Sequence, residues 1–162
     1  MARDGTTLDP GSGPSLHLVK LCVGADEVED LALWQTARGL ERKRQGRDPR
    51  PRHTTRMFPR RAEELLAGGS LYWVFRGVIR ARQALEAIEP VEGEDGITRH
   101  ALVMNPRIVL TRPQPRRPFQ GWRYLRAEDA PADLPADLSD GLDDQHGLPP
   151  GLREAVSEYG VL

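Results

Sequence analysis

The segment Thr111–Leu125, TRPQPRRPFQGWRYL, holds four arginines, three prolines and three large aromatics, and no acid. Arginine grips phosphate and carboxylate through paired, charge-assisted hydrogen bonds, and an aromatic face stacks a base for about 1–3 kcal/mol. A second set of the same residue types, Trp73, Arg76, Arg80 and Arg82, stands upstream in SLYWVFRGVIRARQ. If the two segments are neighbours in space, they offer a surface for nucleic acid or a nucleotide-like anion. The ordinary alternative is that Trp73, Phe119 and Trp122 fill the core while the arginines pair with Asp129, Asp133 and Asp137. The apolar neighbours of Trp73 favour the core for that ring, whereas Trp122 suits either role.

Other reactive types are sparse. Cys22 is the one cysteine, and His17 is the nearest histidine in sequence, but on a strand residues five apart point to opposite faces, so the two make no nucleophile–base pair. A single thiol in an apolar strand behaves as a small hydrophobe. His17, His53, His100 and His146 show no zinc-ligand spacing, and no metal or cofactor is expected. Glu63 and Glu64 are adjacent on a predicted helix and cannot share one cleft. Phosphate-loop, dinucleotide-binding and zinc-protease motifs are all absent.

The elements that must carry these residues follow from the pattern. LHLVKLCV, residues 16–23, reads as a buried strand that Gly24 ends. Asp26 is placed to cap a helix on which Val28, Leu31, Trp34 and Ala37 recur at helical spacing, with acids in the first turn and Arg42, Lys43 and Arg44 at the far end. RQGRDPRPRHTTR, residues 44–56, reads as a basic loop, and Pro59 can open a short helix that Gly68 and Gly69 stop. Residues 70–91 read as two strands around Arg76–Gly77, a tight turn or a bulge, with Arg80 and Arg82 on one outward face. ITRHALVM, IVLT and FQGWRYL give further strands, the last with Gly121 as a bulge.

The fold class expected is α+β, a small curved antiparallel sheet or partly closed barrel with two or three short helices. Residues 1–15 read as a loose leader, 16–126 as a single domain, and 127–162 as an acidic tail wrapping that domain and ending in a short helix. Charge is segregated along the chain. Residues 38–82 carry a surplus of nine positive charges and 99–126 a surplus of seven, while 127–162 carry an excess of eight negative ones, within a net charge of −1. No apolar run approaches the roughly 20 residues that span a bilayer, and no signal peptide is evident, so a cytoplasmic location is expected.

LHLVKLCVGADEVEDLALWQ, HTTRMFPRRAEELLAGGSLYWVFRGVIRARQ and TRPQPRRPFQGWRYLRAEDAPADL together resemble a bacterial family whose domain has unknown function, over about residues 16–134. The helix leading through glycines into SLYWVFRGVIRARQ is also similar to PUA-like domains, including the ASCH group. That likeness implies a small pseudo-barrel binding RNA or modified bases.

These readings combine into an anion-binding surface built from Arg56, Arg60, Arg61, Arg80, Arg82, Arg116, Arg117 and Arg123, with Trp122 or Tyr124 as the stacking ring. The partner expected is RNA or a modified nucleotide. One alternative is an interaction module that docks an acidic protein and is covered by its own acidic tail when alone. Another is an enzyme of unrecognised type using His53 with Arg56 and Glu63.

Overall fold

A computed structural model describes residues 14–135. The expected leader before residue 14, the tail beyond 135 and its final helix lie outside them. Seven strands and two helices follow in the order β1 (Leu16–Leu21), α1 (Val28–Arg44), β2 (Arg52–Thr55), α2 (Ala62–Leu66), β3 (Ser70–Phe75), β4 (Val78–Glu92), β5 (Thr98–Met104), β6 (Val109–Pro115) and β7 (Trp122–Arg126). The protein is α+β.

The strands form one sheet in the order β2-β5-β4-β3-β1-β7, with β6 also pairing to β4. No pairing joins β2 to β7, so the sheet is not closed. It is also mixed rather than antiparallel throughout. β1 and β3 run parallel, with Leu18 opposite Leu71 and Lys20 opposite Trp73, because the chain passes through α1, β2 and α2 before returning beside β1.

β4 gives the sheet its curvature. Residues 78–82 pair with β3 and β6, and residues 85–92 pair with β5. Trp73 faces Ala81 and Val74 faces Ile79, so Arg80 is an extra residue on β4; Glu86 is likewise extra between Leu85 and Ala87. Such bulges bend a strand and increase its twist. The first also breaks the alternation expected of Ile79, Arg80, Ala81 and Arg82. Ile79 and Ala81 enter different core clusters on opposite faces, so Arg80 and Arg82 do not share an uninterrupted outward row. Arg76–Gly77 is the turn rather than the bulge: positive φ angles of 50° and 79° give the left-handed geometry that suits a two-residue hairpin.

Two local readings change. The basic segment 44–56 contains β2, which pairs antiparallel with β5 from Arg52 opposite Val103 to Thr55 opposite His100. The helix α1 is capped by Glu27, not Asp26; the Glu27 N–H donates to the Asp30 carboxylate at 3.0 Å, one half of a capping box.

Both faces of the sheet are apolar. On one face Leu16, Leu18, Leu71, Trp73, Phe75 and Trp122 pack with Val28, Leu31 and Ala32 of α1 and Leu65 of α2. On the other, Val19, Tyr72, Val74, Ile79 and Leu125 are covered by Phe119 and Ala130. The helix-side core contains a buried polar knot. Gln83, fully buried, accepts from Trp73 Nε1 and Gln35 Nε2 at 2.9 Å each, and donates to Gln35 Oε1 at 2.7 Å and to the Asn105 carbonyl at 3.1 Å. The knot ties α1 to β3 and β4.

Candidate functional site

The arginines of the expected surface divide by their partners. Arg82 is held by Asp133 through two hydrogen bonds of 2.7 and 2.8 Å, and also donates to Ser70 Oγ. This pairing holds the Asp133 carboxyl below its usual range. Asp133 belongs to a segment laid along β6: the Arg112 N–H donates to the Ala132 carbonyl and the Leu134 N–H to that of Leu110. Arg61 forms a bidentate pair with Glu64 and stands over the Tyr124 ring at 5.5 Å. Both guanidiniums are therefore engaged within the domain.

Arg56, Arg60, Arg80, Arg116, Arg117 and Arg123 form no ion pair among the described residues. Their loops converge. Trp122 Nε1 donates to the Met57 carbonyl, the Arg61 N–H donates to the Tyr124 hydroxyl, and the Arg116 N–H donates to the Gly77 carbonyl. The β2–α2 loop, the β6–β7 loop and the β3–β4 turn thus meet around residues 116–124. There Phe119 carries the Arg116 and Arg123 guanidiniums at 5.3 and 5.2 Å from its ring.

The stacking ring differs from expectation. Trp122 is 5% exposed and bonded through its indole N–H, so its ring belongs to the core. Tyr124 is half-buried, with its ring against the Trp122 edge at 4.9 Å. Trp73 is buried in the core as its apolar neighbours suggested. The opening segment therefore seals both faces of the sheet with Phe119 and Trp122 and presents its arginines outward.

A second arrangement was not anticipated. Beyond the C-terminal end of β1, a cavity of about 320 Å³ is lined by residues that include Lys20, Cys22, Asp30, Trp34, His53 and Trp73. His53 does not lie in a loop, contrary to the basic-loop reading of residues 44–56. It stands on β2, half-buried, its ring edge-to-face with Trp73 at 6.1 Å, and burial lowers its pKa to about 4. It contacts neither Arg56 nor Glu63 through a hydrogen bond or ion pair. Burial pushes the Cys22 thiol up to about 12 and lowers the Lys20 ammonium, so at neutral pH the thiol and the imidazole are both uncharged. His17 lies on the other face of β1, against Tyr72 at 5.0 Å, as strand alternation required. The sequence did contain a signal for the cavity: Lys20 has the same strand parity as the buried Leu16 and Leu18, which places a charge on the core side.

Among the described residues, no helix is long and apolar enough to cross a membrane. Comparison with curated proteins and with solved structures found no match, and the resemblance to PUA-like domains rests on sequence alone. A family described as a protein of unknown function, DUF1489, matches residues 18–162, and with nearly the whole chain covered the protein belongs to that family.

Proposed function

We propose that the protein binds nucleic acid, or a nucleotide-like anion, through the arginines gathered around the β6–β7 loop. The observation that carries this reading is the pair Arg116 and Arg123, both resting on Phe119 and neither matched by a carboxylate. A ring beneath two guanidiniums fixes their direction; Arg123 Nη1 already donates to the Gln120 and Trp122 carbonyls, and its remaining N–H groups, with those of Arg116, are left for phosphate oxygens. Arg117, Arg56 and Arg60 extend the positive surface over the adjoining loops, and Arg80 is exposed at the bulge of β4. The bends in β4 give the sheet a curvature compatible with a partly open, PUA-like barrel, in which RNA or a modified base is the natural ligand class.

Binding of fluorescent single-stranded RNA and DNA to the full chain at several salt concentrations tests the reading. Affinity is expected to fall steeply as salt rises, with a log–log slope of about −0.7 per phosphate contact. Arg116→Ala with Arg123→Ala should make that slope shallower by about 1.4. An affinity flat in salt, or unchanged in the double variant, overturns it.

A second reading has its own support. Asp133 already docks on Arg82 in bidentate geometry, which is how an acidic protein segment would engage this surface. Displacement of bound RNA by polyglutamate at matched charge would favour a protein partner.

A further inference from the structure

We infer that the cavity at the end of β1 is a binding site for a small planar aromatic anion, separate from the arginine surface and independent of its role. The volume of about 320 Å³ lies within the range of small-molecule sites, and the character of the walls selects the ligand. Trp73 provides a fixed aromatic wall, since its indole N–H is held by Gln83. His53 stands edge-on to it, and Trp34 forms the rim at 50% exposure. Val23, also lining the cavity, is 85% exposed. Val23 and Trp34 thus leave apolar surface exposed at the mouth of an aromatic recess, where a planar ligand can bury it.

Charge fixes the other end of the ligand. Lys20 is the one cationic side chain lining the cavity, and it makes no ion pair among the described residues. A half-buried ammonium without a counter-ion is destabilised by lost solvation, and an anionic ligand group restores the missing interaction. Burial accordingly lowers the Lys20 pKa from its usual value. Arg38 lies over the Trp34 ring at 4.8 Å and adds positive potential at the mouth. Asp30 is on the helix wall, where its carboxylate accepts the Glu27 N–H. The ligand is therefore oriented with its anionic group toward β1 and away from α1. Cys22 and His53, both neutral, supply a thiol and an imidazole for polar contacts without adding charge.

The test uses 2-naphthoate, the uncharged 2-naphthamide and the cationic 2-naphthylmethylammonium, titrated against the full chain and followed by tryptophan fluorescence and calorimetry. Saturable binding of naphthoate at least tenfold tighter than the amide, with the cation weakest, is expected. Lys20→Met should reduce naphthoate to the affinity of the amide, Lys20→Arg should preserve the preference, and Trp34→Ala should weaken both. Absence of saturable naphthoate binding, or equal affinity for all three probes, overturns the inference using the unmodified protein alone. In a folded Lys20→Met variant, an unchanged preference for naphthoate also overturns it. RNA binding should be unaffected by naphthoate, so the two sites fail or stand separately.

Discussion

Replacing Gln83 with leucine keeps the approximate volume of the side chain and removes the centre of the buried polar knot. Four hydrogen bonds disappear together: those accepted from Trp73 and Gln35, and those donated to Gln35 and Asn105. The main-chain carbonyl of half-buried Asn105 can take a water in place of Gln83, but the Trp73 N–H and the Gln35 amide lie in the core and are left without partners. Each buried polar group so orphaned costs about 1–3 kcal/mol, and the added apolar surface of leucine offsets part of the sum. A net loss of about 3 kcal/mol is expected, a large share of the roughly 5–15 kcal/mol that a domain has. At about 2–4 °C per kcal/mol for a chain of this size, the melting temperature should drop by about 6–12 °C. Urea unfolding should show a lower midpoint with the slope unchanged. The double variant Gln35→Leu, Gln83→Leu should be at least about 1 kcal/mol more stable than the sum of the two single losses, because it also removes an orphan. A loss below about 1 kcal/mol for Gln83→Leu, or strict additivity in the pair, would refute the claim that this knot is a coupled unit.

Two further outcomes are open to the same measurements. His17 Nδ1 accepts the Ser70 N–H at 3.0 Å, and burial, aided by Arg82, lowers its pKa to about 4 against about 6.5 in an unfolded chain. Because the folded form resists protonation, the stability from neutral His17 is complete above about pH 6.5 and is lost as pH falls toward 4, at up to about 1.4 kcal/mol per unit. His17→Asn keeps a side-chain acceptor and removes the titration, so the wild-type advantage at pH 7 should shrink by pH 4.5 in denaturant melts; a constant difference contradicts this. At Gly69 a β-carbon would collide with the carbonyl oxygens of Leu16 and Leu65, backbone atoms that cannot yield cheaply. Gly69→Ala should therefore cost about 3 kcal/mol or more, whereas Gly96→Ala, at φ +77° in open space, should cost only about 1–2 kcal/mol of left-handed strain. Equal losses at the two positions would remove the steric argument.

Local pattern determined a good deal of this protein. The apolar run of β1, the 3.6-residue spacing and end charges of α1, the break between two strands at Arg76–Gly77 and the strand at residues 98–104 all depend on near neighbours, so they are legible without the fold, though the choice of turn over bulge at Arg76–Gly77 is not. So was the opposition of His17 and Cys22, which needs only the two-residue period of a strand. What escaped was set by contacts between distant segments. The parallel placement of β3 beside β1 depends on how the intervening 48 residues cross over, and nothing in either strand states its partner. The extra residue Arg80 reverses side-chain parity downstream, which an alternation argument cannot detect. Trp122 became core because Met57, far away in sequence, offered its indole a carbonyl. His53 entered a cavity with Cys22 and Lys20 because β4, bent by its bulges, carries β5 and β2 round toward the face of β1. Arg82 lost its free charge to Asp133 for the same kind of reason. Sequence thus determined which side chains could do chemistry, and the tertiary structure decided which of them meet, since a site is made by chain crossings and strand register that no local preference encodes.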